Sequence, residues 1–76
     1  MADSSAAVHV VPHDDRWAVV REGANRASSL HDTQAEAIDA ARTTAQTERT
    51  ELLVHDREGQ IRDRDSYGND PFPPKG

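Results

Sequence analysis

No cysteine occurs among the 76 residues, so neither a disulfide nor a thiolate–zinc site can staple this chain. Lysine occurs once, at Lys75, and the other eight basic residues are arginine. The net charge of −5 is spread along the chain, with no basic block or stripe. Phosphate backbones demand positive charge, so composition disfavours nucleic-acid binding. No apolar run approaches the roughly 18–20 residues of a membrane span. The opening MADSSAAVHVV lacks the positive leader and apolar centre of a signal peptide. A soluble, cytoplasmic chain with no membrane partner is the expectation.

Large apolar side chains are also scarce. Of the 34% hydrophobic residues, eleven are alanine, and the aromatics are Trp17, Tyr67 and Phe72 alone. One small domain is the most this length supports. Its core must be thin, and a dimer interface or a docked tail would supply extra burial.

The segment with the clearest periodicity is Thr33 to Glu48 (TQAEAIDAARTTAQTE). Thr33 and Glu36 have the spacing of a capping box. Ala35, Ile38, Ala41 and Ala45 form one stripe on a helical wheel, opposite Glu36, Asp39, Thr43, Gln46 and Thr47. Ile38 is the only large knob on it, and Arg42 flanks it. Thr47 to Thr50 lacks the glycine that usually follows a helix, which predicts fraying there.

Short strands surround this helix. Residues 8–11 (VHVV) form a β-branched strand that Pro12 should end, because proline cannot donate to an interior ladder. His13 to Arg16 is a turn. Residues 17–21 (WAVVR) form the second strand, with Trp17, Val19 and Arg21 on one face and Ala18 and Val20 on the other. Gly23 to Asn25 is a turn, and residues 26–31 (RASSLH) form a weak edge strand. After the helix, residues 51–55 (ELLVH) are the most apolar strand. A turn follows with Gly59 left-handed, then the charged edge strand 61–66 (IRDRDS). Trp17, Val19, Leu52, Val54 and Ile61 should supply most of the core beneath the helix.

The expected fold is therefore α+β, an antiparallel sheet of about five strands in chain order β-β-β-α-β-β. One helix covers one face and the other face stays open. The domain spans residues 7–66. Residues 1–6 form a flexible start, and residues 67–76 form an extended proline-rich tail. In that tail Tyr67, Phe72, Pro73 and Pro74 are candidates for docking on the chain's own sheet, on a second copy or on a partner.

Chemical motifs are sparse. Strand pairing could converge His9, His31 and His55, but no HxH or helical HxxxH pair exists, so no metal site is assigned. Ser28, Ser29, His31 and Asp32 are triad residue types too close in sequence for a nucleophile–base–orienter geometry. Asp63 and Asp65, alternating with Arg62 and Arg64, read as a solvated edge with cross-strand ion pairs. No cofactor cradle is present and no catalytic residue is assigned. Arg16, Arg21 and Arg26, near Trp17, are the one feature compatible with nucleic-acid contact, although Asp14, Asp15 and Glu22 interleave with them.

The stretches WAVVREGANRASSLHDTQAEAIDAAR and ELLVHDREGQIRDRDSYGNDPFPPKG closely resemble a small bacterial family, domain of unknown function 2188. The likeness runs from Val8 to Gly76. It rests on Trp17 with Arg21, Ala27-Ser28-Ser29, Asp32-Thr33 with Glu36-Ala37, Gly59 with Ile61, and the tail from Ser66-Tyr67-Gly68 to Pro74. The polar exit Thr47–Thr50 departs from the Gly or Asn that members tend to carry. The resemblance implies a fold unit and no activity. A looser likeness links the Trp-containing hairpin, third strand and helix to the DNA-binding domains of plant ethylene-response factors and integrase arm-binding modules, whose open sheet enters the major groove. Likeness of fold alone is a weak guide to function. The leading expectation is an uncharacterised, non-catalytic structural or protein-interaction module that pairs with a protein partner or with itself. The second is a nucleic-acid-binding domain using the open face at Arg16, Arg21 and Arg26.

Overall fold

A computed structural model of the chain describes residues 6–67. The strands are β1 (Val8–His13), β2 (Arg16–Arg21), β3 (Ser29–His31), β4 (Glu51–His55) and β5 (Ile61–Ser66). The helix α1 (Gln34–Glu48) lies between β3 and β4. The α+β class and the chain order match expectation, but the sheet is mixed rather than antiparallel. Its order is β3-β2-β1-β4-β5, and β4 runs parallel to β1 while every other pair is antiparallel.

The parallel contact follows from connectivity. A fifteen-residue helix returns the chain to the end of the sheet where β3 began, so β4 must run in the direction of β3 and β1. The antiparallel neighbour it could have had, β2, is already flanked on both sides by β1 and β3. Only the outer edges of β1 and β3 remain, and both run parallel to β4. The edge of β1 offers buried Val8 and Val10, whereas β3 has three residues, none of them buried.

Pro12 does not end β1. It pairs with Trp17 inside the strand, beyond the end of the β1–β4 ladder at Val10–Val54, where β1 is bonded on one side only. The hairpin turns tightly at Asp14, which adopts φ 56°, a conformation that Asp tolerates better than most residues. Gly23 and Gly59 are left-handed at φ 85° and 87°. At the second of these turns the Asp56 carboxylate accepts the N–H groups of Glu58 and Gln60 at 2.9 and 3.0 Å.

The core is a single layer between helix and sheet. Val8, Val10, Trp17, Val19, Leu52 and Val54 face Ala37, Ala41 and Ala45. The buried stripe differs from the one read off the sequence. Ala41 and Ala45 belong to it, Ala35 is exposed, and Ile38 is half-buried at its margin. Alanines spaced by four put only methyl groups at the contact, so the bulk comes from the sheet. Ile61 is also not core. It is 55% exposed, because a bulge between Val54 and His55 shifts the β4–β5 register and sets Ile61 opposite His55 on the far face.

Thr33 caps the helix, its hydroxyl accepting the Glu36 N–H at 3.1 Å. The other end does not fray. Arg49 takes the left-handed conformation that glycine usually supplies, at φ 57° and ψ 54°, and its N–H reaches the Ala45 carbonyl. The Thr50 N–H bonds the same oxygen at 3.0 Å. Tyr67 packs against the core cluster, and its N–H meets the Thr50 carbonyl at 3.2 Å. Phe72, Pro73 and Pro74 lie outside the described residues. Among the described residues no helix is long and apolar enough to cross a membrane.

Two substitutions test this packing. Ala41→Leu forces three extra carbons into a contact with 0% exposure and should destabilise by about 1–3 kcal/mol in urea titration. Arg49→Gly removes a left-handed non-glycine residue and should raise stability by about 1 kcal/mol in the same assay. A loss on Arg49→Gly would mean that the arginine side chain, not the backbone, holds the helix end.

Candidate functional site on the uncovered sheet face

Strand register sorts the side chains. Trp17, Val19, Val8, Val10, Leu52 and Val54 point to the helix, so their neighbours in sequence point away. The uncovered face thus carries His9, Val11 and His13 from β1, with Ala18 and Val20 from β2. Leu30 comes from β3, Leu53 and His55 from β4, and Ile61 and Arg64 from β5. Ala18 is nevertheless buried at 1% exposure. Val11, Val20 and Leu53 are half-buried, and Leu30 and Ile61 are exposed at 43% and 55% at opposite ends of the face.

Charges on and beside this face come in pairs. Arg16 meets Asp32 at 3.4 Å, Arg64 meets Glu51 at 3.6 Å, and His9 meets Glu22 at 3.1 Å. Such exposed pairs add little stability, a few tenths of a kcal/mol each. Their effect is electrostatic, since Arg16 and Arg64 each already have a counter-charge. The three arginines singled out from the sequence do not share a surface. Arg16 belongs to the uncovered face at the hairpin end. Arg21 lies on the helix side, where it pairs with Glu48. Arg26 is exposed in the bend before β3.

The histidines divide in the same way. His9 and His55 converge, with His9 Nδ1 and His55 Nε2 3.0 Å apart. His31 faces the helix side and bonds Ser29 Oγ through Nε2 at 2.8 Å. The Ser29–His31 contact forms because residues two apart on a strand share a face. Asp32, the third residue type, turns its carboxylate to Arg16 instead.

A shallow cleft of about 350 Å³ lies at the carboxyl end of β4, lined by Trp17, Gln34, Asp56, Arg57, Glu58 and Arg62. The Arg57 guanidinium stacks 4.9 Å above the Trp17 ring. Gln34 holds the cleft's wall, donating to the His55 carbonyl at 3.1 Å and accepting from Arg62 at 3.0 Å. Arg62 reaches the helix side here because of the bulge. Trp17 is thus the core anchor, 5% exposed, with Arg57 closing over it. Among the described residues no group of three or more His, Cys, Asp or Glu converges as a ready metal site.

A family model described as "Uncharacterized protein conserved in bacteria (DUF2188)" matches residues 8–67, from the first residue of β1 to Tyr67. The chain belongs to the DUF2188 family. Uncharacterized protein YdaT of Bacillus subtilis (strain 168) is 40% identical over 63 residues, 83% of this chain. This DUF2188 chain spans 42% of that relative's length. No solved structure matches it significantly, so the likeness to plant and integrase DNA-binding domains gains no support. The matched region contains all five strands and the helix, and it includes every residue of the uncovered face.

Removing the cover over the tryptophan isolates one interaction in the cleft. Arg57→Ala should raise acrylamide quenching of Trp17 fluorescence and lower stability by about 0.5–1 kcal/mol. Unchanged quenching would show that the guanidinium does not shield the ring in solution.

Proposed function

We propose that this chain is a non-catalytic protein-interaction module whose uncovered sheet face docks on a second copy of itself. The observation that carries the reading is the pairing of Leu30 and Ile61, both exposed, across the half-buried Val11, Val20 and Leu53. Exposed large apolar groups at both ends of one face, with half-buried apolar groups between them, support a contact surface.

Electrostatics favour an identical partner. The cations Arg16 and Arg64 are neutralised within the chain by Asp32 and Glu51. Two such faces can meet around a two-fold axis without opposing unpaired like charges. A nucleic acid would need free cations on one surface, and Arg16, Arg21 and Arg26 are dispersed and partly paired. Five strands about 4.8 Å apart and some 20 Å long give a face of roughly 400 Å² per copy. That is the small end of interfaces, so the association is weak and concentration-dependent.

Sedimentation equilibrium across a wide concentration range tests this. The parent chain should self-associate, and the double substitution of Leu30→Glu with Ile61→Glu should hold it monomeric. Because both sites are exposed, its thermal unfolding should shift little, by about 0.5 kcal/mol per site or less. A parent chain that stays monomeric up to about millimolar concentration, or a double variant that still associates, overturns the reading.

A further inference from the structure

His9 and His55 sit on adjacent parallel strands and meet nearly head-on, with ring centroids 5.2 Å apart and planes tilted by 35°. The outer nitrogen of each ring is already committed. His55 Nδ1 lies 3.1 Å from the Gly59 carbonyl, which can only accept, so Nδ1 carries the hydrogen. His9 Nε2 lies 3.1 Å from a Glu22 carboxylate oxygen, an acceptor when ionised, so Nε2 carries the hydrogen there. A neutral imidazole has one N–H. With both outer nitrogens protonated, the inner ones, His9 Nδ1 and His55 Nε2, present two lone pairs to each other at 3.0 Å. That arrangement is repulsive unless a positive species sits between them. A shared proton is one such species, and a metal ion is the other.

We propose that the His9–His55 pair is a two-histidine site for a borderline transition-metal ion of the Zn²⁺, Ni²⁺ or Cu²⁺ class. The outer contacts are those that metal-binding histidines characteristically make, one to a carboxylate and one to a backbone carbonyl, which fix the tautomer and aim the free lone pair. Imidazole is a suitable ligand for all three ions. On a tetrahedral zinc with Zn–N of about 2.0–2.1 Å, two imidazole nitrogens stand about 3.3 Å apart. The observed 3.0 Å is short of that by a few tenths of an ångström, so the rings move apart and turn until both lone pairs converge on the ion. His9 is 21% exposed and Glu22 65% exposed, which leaves the entry open and lets the carboxylate follow the ring. Among the described residues no third side chain converges, so solvent completes the coordination. Both ligands bind through an unprotonated nitrogen, so metal binding competes with protons.

The test titrates the full chain with zinc chloride and with nickel chloride by calorimetry, and follows imidazole nitrogens by ¹⁵N NMR. Zinc should shift His9 Nδ1 and His55 Nε2 and leave the nitrogens of His13 and His31 in place. His9→Gln or His55→Gln should abolish binding. Glu22→Gln, which removes the carboxylate behind His9, should weaken it by about 10–100-fold. His13→Gln and Leu30→Glu should bind as the parent does, and the latter separates this site from self-association through the face. Lack of binding by the folded parent overturns the proposal. So do zinc-induced shifts confined to other nitrogens, or His55→Gln binding unchanged. If a histidine variant fails to fold by circular dichroism, the nitrogen shifts of the parent decide.

Discussion

The helix can lie close to the sheet because the three side chains between them, Ala37, Ala41 and Ala45, end at Cβ. Everything apolar of any size is then on the sheet: Val8, Val10, Val19, Leu52, Val54 and Trp17. A short helix with a methyl-only contact face contributes little burial by itself. It makes the fold by sealing four strands at once, since it packs across β1, β2, β3 and β4. β5 lies beyond that footprint, and its residues are accordingly mostly exposed and charged.

That arrangement also decides what remains open. With one helix for five strands, no described element covers the second face, and the groups left on it must be tolerable to water or to another surface. Val11, Val20 and Leu53 are partly sheltered by their own neighbours, while Leu30 and Ile61 are not. The bulge between β4 and β5 has two consequences at once. It sends Ile61 to the open face and brings Arg62 round to Gln34 on the helix side. One extra residue in an edge strand thus moves an apolar group out of the core and a charge into the cleft beside Trp17.

The parallel contact of β1 with β4 matters to the histidines. Residues that are 46 apart in sequence, His9 and His55, become diagonal neighbours on one face because those strands run side by side. Their outer bonds come from two different turns, Glu22 after β2 and Gly59 before β5. The sheet supplies the separation of the rings, and the turns supply their tautomers. Neither alone would turn two lone pairs toward one point.

Most elements were legible in the residues themselves. The alternation through Trp17–Arg21 assigned its faces correctly, Thr33 marked the helix start, and Gly59 marked its turn, because each depends on contacts within a few residues. The antiparallel sheet read from the sequence failed at β4, because its parallel pairing with β1 rests on a strand order that no local contact reveals. Other features depend on contacts between distant segments. Five alanines around one helix carry too little contrast in hydrophobicity to say which of them is buried, so the stripe was misplaced toward Ala35. A bulge is invisible in a run such as IRDRDS, and with it went the exposure of Ile61. The Arg49 helix end was hidden because a left-handed arginine has no sequence signature. The meeting of His9 with His55 was beyond local reading altogether, since it rests on a non-local strand pairing and on the acceptors that two distant turns place behind the rings.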